Sequence, residues 1–392
     1  MTAIREVDLS QPLAAVVDLP PGRCMLVFRW GRRVIGRAFA HATSGSIAPD
    51  EVEALAASSL EPAALRYWLD DRLQYDERLV MDPRPLTASV AICTRERPED
   101  LKRALAALNA LRPAPLEKLV IDNAPSTEAT RLVVEGFADV RYVHEPERGL
   151  NVARNRALRT ARGDVVAFVD DDAVPEPEWL DGLMPNFQSP RVVCVTGLTL
   201  PMALDTEAQE LFEAHCTFVR GFRRRMFDGQ IDNPLAVGPV GAGANMAVLR
   251  EEALRLGGFD ERLDGGRPTR SGGDHEMFTR MLRAGNRIVY DPAAVAWHRH
   301  RRTMEELRQT VYGYGVGVYA MWTGLLLETR ELGVLKLAWS WFRHSQWRAL
   351  LPGSATTRQA RALAREEIRG CLHGPRAWLA ARHAQANGQQ RD

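Results

Sequence analysis

The stretch Asp164-Val-Val-Ala-Phe-Val-Asp-Asp-Asp172 decides the reading of this 392-residue chain. Its apolar run, Val165 to Val169, is too short for a helix and rich in β-branched types. That is the pattern of a parallel strand buried on both faces. Three carboxylates follow, Asp170, Asp171 and Asp172, with no basic residue among them. Like charges gathered at a strand end cost free energy unless a cation sits with them. A divalent metal carrying phosphates is such a cation, and oxygen ligands suit Mg2+ or Mn2+. A solvated acidic turn is the competing account, and this stretch alone does not choose between them.

The neighbouring chain supplies the context. Ser89 to Cys93 is β-prone, Pro98 suits the first turn of a helix, and Leu101, Ala104, Leu105, Leu108 and Leu111 keep helical spacing. Lys118–Asn123 and Arg141–His144 read as strands, and Asn151–Ala161 as a helix that leads into the opening stretch. Strands alternating with helices indicate an α/β protein with a doubly wound parallel sheet. Thr94, Asp122 and Asp170 to Asp172 each stand at the carboxyl end of an expected strand, where open α/β sheets bind ligands. Taken singly, Asp122 in Asp122-Asn-Ala-Pro125 is as well explained by an Asx turn. No G-x-G-x-x-G follows the first strand and no P-loop is present, which disfavours dinucleotide and P-loop nucleotide binding.

Five segments in this order resemble the family 2 nucleotide-sugar glycosyltransferases of the GT-A fold. They are Val90-Ala-Ile-Cys-Thr-Arg-Glu-Arg-Pro98, Val120-Ile-Asp-Asn-Ala-Pro-Ser126, Gly149-Leu-Asn-Val-Ala-Arg-Asn-Arg156, Phe168-Val-Asp-Asp-Asp172 and Gly257-Gly-Phe-Asp-Glu261. The resemblance covers about Ser89 to Arg302, roughly half the chain. It implies a GT-A-like doubly wound mixed sheet and a nucleoside diphosphate sugar as donor. It places Thr94, Arg95, Asp122, Arg154, Asp170 and Gly243 at the nucleotide sugar. Asp172 and Asp170 would be metal ligands, joined by His298, with His300 the rival histidine.

Ser271-Gly-Gly-Asp-His-Glu-Met-Phe278 is a second chemical centre. Met277, Phe278, Met281 and Leu282 repeat at helical spacing, and Gly285 suits the helix end. Asp274 at the first turn is accounted for by capping alone. The resembling families read Glu-Asp-x-Asp/Glu here, with the aspartate as general base. The resemblance thus makes Asp274 the base and Glu276 a supporting group, while Gly273 departs from the pattern. Arg299, Arg301 and Arg302 beside His298 suit leaving-group phosphates.

The flanks are expected to be separate units. Residues 1–86 read as an accessory α+β module with a hairpin around Trp30-Gly31-Arg32 and Asp50 as an N-cap, 87–305 as the catalytic domain, and 306–392 as a helical, basic extension. Helices are expected over Pro62–Leu79 and Arg358–Gly370, and Leu200–Val237 reads as irregular with an arginine cluster at Arg220 and Arg223 to Arg225. From Arg330 to Asp392 there are eleven Lys/Arg and four Asp/Glu. With Trp322, Trp339, Trp341 and Trp347 this suits peripheral contact with an anionic membrane, or a helical cap on the catalytic domain. A net charge of +1 argues against nucleic-acid binding. Five scattered cysteines and no signal-peptide layout lead to a cytoplasmic expectation.

The function expected is metal-dependent, inverting transfer of a sugar to an acceptor hydroxyl on a glycan, a lipid-linked carrier or a peptide. A sugar nucleotidyltransferase and a catalytically lapsed, nucleotide-sugar-binding scaffold subunit are the alternatives.

Overall fold

Strand β7 (Val165–Val169) is buried along its whole length, as its unbroken apolar run requires. The computed structural model describes residues 1–43, 45–60, 69, 73, 86–347 and 357–389. The helix expected over Pro62–Leu79 and most of the linker to Leu86 fall almost entirely outside these residues.

Beside β7 stand, in parallel, β4 (Ala88–Thr94), β5 (Glu117–Asn123) and β6 (Val140–Glu145). They are connected through α2 (Pro98–Leu108), α3 (Ala129–Glu135) and α4 (Leu150–Thr160). On the other side the parallel pattern ends. Strand β11 (Asn245–Leu249) is inserted antiparallel between β7 and β9 (Val192–Pro201), with Met246 opposite both Phe168 and Thr196. Strand β12 (Arg287–His298) lies parallel to β9, and β10 (Arg225–Asp228) closes that edge antiparallel. The sheet is therefore mixed, as the resemblance implies, and the parallel pattern read from the strand–helix alternation extends over β4 to β7. Helical crossovers enforce parallel pairing, and β11 is entered without one.

Two details of β12 build the site. Its pairing with β9 shifts between Asp291 and Val295, and beyond that bulge it pairs with β8 (Ala173–Pro175), His298 opposite Ala173. The strand end carrying the histidine is thus zipped onto the residue that follows the three aspartates. The Arg299 amide donates to the Asp172 carbonyl at 2.8 Å and completes the join.

At the N-terminus β1 (Ala3–Asp8) runs parallel to β2 (Gly22–Trp30), which turns through Gly31 into β3 (Arg33–Ala42), followed by α1 (Pro49–Ser59). The run Cys24-Met-Leu-Val-Phe28 is buried throughout because both faces are covered. Cys24, Leu26 and Phe28 face Val52 and Ala56 of α1. Met25 and Val27 pack with Leu198, Leu200 and Val295 of the large sheet. Ala48, not Asp50, holds the N-cap position of α1.

The stretch expected to be irregular contains α6 (Glu207–His215), opened by a capping box of Thr206 and Gln209, and strand β10. The C-terminal part is helical: α9 (Met304–Thr329), α10 (Gly333–Trp341) and α11 (Arg358–Gln389), the last running well past the expected Gly370. Helices α9 and α11 approach backbone to backbone. A Cβ on Gly315 would stand 2.3 Å from the Glu367 carbonyl oxygen, and one on Gly370 2.2 Å from that of Tyr312. Among the described residues no helix is long and apolar enough to cross a membrane.

Candidate active site

The carboxyl ends of β4 and β7, the start of α9 and the loop before α8 (Gly273–Arg283) enclose a cavity of about 1010 Å3. Thr94, Arg95, Arg97, Asp170, Asp171, Asp172, Asp264 and His298 are in its wall. Asp170, Asp172 and His298 each offer a ligand atom within 4.8 Å of the others. Two carboxylates and an imidazole are a donor set that fits a divalent cation such as Mn2+.

The three aspartates differ in partners. Asp172 faces His298 Nε2 at 3.2 Å, Arg301 at 3.2 Å and Arg97 at 3.1 Å. Burial disfavours its charge, but His298 and the guanidiniums of Arg301 and Arg97 hold it well below the usual carboxylate range. Asp171 accepts the Thr94 hydroxyl at 2.7 Å and pairs with Arg97 at 3.0 Å. Burial pushes it up to about 6 against Arg97. Burial raises Asp170 as well, opposed first by Arg154. The cluster is thus partly neutralised by three guanidiniums, Arg97, Arg154 and Arg301.

Each residue singled out from the sequence has a definite place. Thr94 lines the cavity, yet its hydroxyl is given to Asp171. Arg95 lines the cavity and donates to the Ala124 carbonyl at 3.2 Å. Asp122 is fully buried with the Tyr142 hydroxyl on its carboxylate at 2.8 Å, and burial raises it. Arg154 is buried and pairs with Asp264 at 3.0 Å. The Gly243 amide donates to Asp274 Oδ2 at 2.8 Å. A Cβ on Gly243 would meet Arg154 Nη2 at 2.7 Å and Asp274 Oδ2 at 3.2 Å, so the close approach needs glycine. Of the basic segment after His298 only Arg301 turns to the aspartates. Arg299 pairs with Asp100 and Arg302 with Asp205.

Asp274 is not the helix cap. Gly272, in the left-handed region at φ 95°, holds that position, and Asp274 lies two residues beyond it in the first turn. Its carboxylate takes the Gly243 and His275 amides, both at 2.8 Å. Burial opposes its charge, and His275, Arg154 and the two amides hold the carboxyl below its ordinary value. Glu276 is directed elsewhere. It lies on another face of α8 and is bound by Arg280 at 2.6 and 2.7 Å, so it does not reach the cavity wall.

Two contributors, Asp264 and Arg97, were not singled out from the sequence. Asp264, in Asp264-Gly-Gly-Arg267, puts its carboxylate where a side chain at position 273 would be, 2.7 Å from a Cβ built on Gly273. Arg97 lies in the turn after β4 and reaches across to Asp171 and Asp172. His300 turns away from the aspartates to Glu213 at 2.9 Å, which leaves His298 as the histidine of the cluster.

Comparison with known proteins gives a consistent result. Residues 89–254 match the family model described as glycosyl transferase family 2. The pre-mycofactocin glycosyltransferase of Mycobacterium tuberculosis is 29% identical over 278 residues, covering 65% of this chain and 56% of that protein. The succinoglycan biosynthesis protein ExoM of Rhizobium meliloti is 33% identical over 221 residues, covering 53% of this chain and 65% of that protein. The chain thus spans roughly half to two thirds of the length of these relatives. Among solved structures, the mannosyltransferase PcManGT from Pyrobaculum calidifontis, in complex with GDP-Man and Mn2+, aligns with a TM-score of 0.47 at 20% identity, over 84% of this chain and 83% of that one.

Proposed function

Since residues 89–254 belong to glycosyl transferase family 2, we propose that the chain moves a sugar from a nucleoside diphosphate sugar to an acceptor hydroxyl with inversion at the anomeric carbon. The observation that carries this reading is the convergence of Asp170, Asp172 and His298 on one point in the wall of the large cavity. Residues 87–305 would form the catalytic unit, 1–86 an accessory module and 306–392 an extension.

Asp170, Asp172 and His298 would hold the metal. The imidazole favours Mn2+ over Mg2+, a small hard ion that keeps to oxygen and water. Bound there, a divalent cation acts as a Lewis acid for the charge that develops on the departing diphosphate. Arg97 and Arg301, freed from the aspartates, are then placed to take phosphate oxygens by charge-assisted hydrogen bonds. Thr94 and Arg95, in the cavity wall, would contact the nucleoside with Asp122 buried behind them, and Asp170 would adjoin the ribose.

Asp274 is the base of this reading. It is ionised at neutral pH, and the Gly243 and His275 amides fix its orientation. As the acceptor oxygen bonds to the anomeric carbon, the bond from that carbon to the diphosphate oxygen breaks. The hydroxyl proton passes to Asp274, and nucleoside diphosphate leaves. Arg154, between Asp264 and Asp274, keeps two close carboxylates compatible. Glu276, held by Arg280, acts on the fold of the loop at Leu256 and Gly258 rather than on the acceptor.

The acceptor is a glycan, lipid-linked or peptide hydroxyl. A cytoplasmic, peripheral position on an anionic membrane suits the C-terminal helices. Leu332, Leu335, Trp339 and Trp347 are exposed there with Arg343, and α11 exposes Leu372 and Leu379 among Arg365, Arg369, Arg376 and Arg382. Apolar side chains flanked by arginine are the composition of an interfacial helix.

The test is to incubate the purified chain with Mn2+ and a panel of nucleoside diphosphate sugars and follow release of free nucleoside diphosphate. Slow metal-dependent hydrolysis of one donor is expected. Absence of both hydrolysis and metal-dependent nucleotide binding would remove the transferase reading in favour of a scaffold.

A further inference from the structure

His298 does not stand alone. Its Nδ1 lies 3.0 Å from Nδ1 of His300, and a hydrogen bond between two ring nitrogens needs one proton and one lone pair. Which ring gives the proton is decided at the far side of His300. There Nε2 lies 2.9 Å from Glu213 Oε2, and an ionised carboxylate only accepts. His300 therefore carries its proton on Nε2. It is 1% exposed and lies against Phe212 with ring centroids 4.3 Å apart and planes tilted by 38°. Its Nδ1 is the acceptor, and the shared proton belongs to Nδ1 of His298. The outward Nε2 of His298, 3.2 Å from Asp172 Oδ1, is left for a single electrophile.

Glu213 is itself held from a distance. Its other oxygen, Oε1, accepts from Arg37 in β3 and from the Thr217 hydroxyl. Glu213 is 4% exposed, so without the Arg37 guanidinium its charge would be buried with only hydrogen-bond donors for company. The line Arg37, Glu213, His300, His298, Asp172 runs from the N-terminal sheet to the cavity wall without a gap.

We infer that Arg37, Glu213 and His300 are positioning residues that keep the proton of His298 on Nδ1 and aim its Nε2 lone pair at the metal position, so that the N-terminal sheet completes the metal site. This rests on the metal reading proposed above. Without the relay the free tautomer of a histidine side chain places the proton on Nε2, where it would bond to Asp172 and close the site. Outer partners of metal-bound histidines act in this way and typically change metal affinity by about 10- to 100-fold when removed.

Histidine-selective 15N labelling of the full chain reads the tautomer directly, with His298 assigned by its loss in His298→Asn. In the metal-free wild type the His298 proton is expected on Nδ1. In His300→Phe and Glu213→Leu it is expected to leave Nδ1. Calorimetry with Mn2+ in the presence of a nucleoside diphosphate should show affinity lower by about 10- to 100-fold in both variants. Arg37→Leu should move in the same direction by a smaller factor. His300→Asn, whose side-chain oxygen can stand in the place of Nδ1 and accept, should recover most of the affinity. A bare Nδ1 on His298 in the wild type overturns the inference, whatever the fate of the variants. So does a His300→Phe protein that binds Mn2+ as tightly as wild type. If His298 carries its proton on Nδ1 but the wild type binds no Mn2+, the relay stands and the metal reading falls.

Discussion

The carboxylate of Asp264 fills the space into which a side chain at position 273 would grow: a Cβ on Gly273 would stand 2.7 Å from Asp264 Oδ2 and 2.1 Å from Asn151 Nδ2. The departure of this chain at Gly273 is therefore matched by an acid arriving from a loop nine residues earlier in sequence. Asp264 pairs with Arg154, and Asn151 is held by the Asp260 carbonyl at 2.8 Å. Neither neighbour is free to yield. Gly273→Ala should cost about 1–3 kcal/mol of stability, the usual penalty for overpacking, and should lower turnover by displacing Asp274. A variant with unchanged melting temperature and activity would show that the space is more yielding than these contacts allow.

Asp264→Asn should change the dependence of stability on pH in a defined direction. Burial pushes the Asp264 carboxyl up to about 6, above its ordinary value of 3.8. Between those values the folded chain holds a proton that the unfolded chain has released. This residue's contribution to stability therefore falls as pH rises through that window. The asparagine variant lacks the term, so its deficit relative to wild type should shrink from pH 4 to pH 6. Denaturant midpoints of both proteins across this range measure it, and a deficit that grows with pH would contradict it.

Asp274→Asn keeps the size of the side chain and removes its capacity to take a proton. Turnover should drop by about 10²–10⁴-fold, the span of general base catalysis, with donor affinity nearly unchanged. Steady-state kinetics together with donor titration separate the two. Full activity in the asparagine protein would transfer the role of base to another group.

Asp172→Asn should weaken Mn2+ binding more than either His300→Phe or Glu213→Leu, because it removes a ligand rather than a support. It also leaves the Arg97 and Arg301 guanidiniums beside a neutral amide, which adds repulsion to any incoming cation. Calorimetric titration with Mn2+ orders the three variants.

Trp339→Ala and Leu335→Ser should reduce sedimentation of the protein with phosphatidylglycerol vesicles. Binding to phosphatidylcholine vesicles should be weak in all cases, and raised salt should release the wild type, since the arginine contribution is screened. Equal binding to both lipids would leave the basic face of α11 without this role.

Local pattern made the parallel half of the sheet legible. Val165 to Val169 and the residues from Ser89 to Cys93 declare buried strands, and Pro98 opens the helix between the first two strands. The placing of Thr94 and the three aspartates at strand ends followed directly. What sequence did not disclose depends on pairings between distant segments. Insertion of β11 between β7 and β9 joins residues far apart in the chain. The family resemblance brought Asp274 and Glu276 forward together, but two residues along a helix is more than half a turn, and Arg280 is on the Glu276 side. Asp264 and Glu213 are ordinary acids in unremarkable loop and helix contexts. The N-terminal module carried no chemical motif, because Arg37 acts through Glu213 at the other side of an interface.

Helix α9 touches the start of α8 with only the Ser271 hydroxyl between them, which donates to the Gly313 carbonyl at 2.9 Å. A Cβ on Gly317 would stand 2.4 Å from the Ser271 carbonyl carbon, and one on Gly272 would stand 2.8 Å from the Gly317 carbonyl oxygen. Side chains are the compliant parts of a protein interior, since they change rotamer to absorb strain. At this contact that cushion is reduced to one small hydroxyl, so little lies between α9 and the turn that carries Asp274 to absorb a tilt. A load that tilts α9 would therefore be carried to the position of the Asp274 carboxylate.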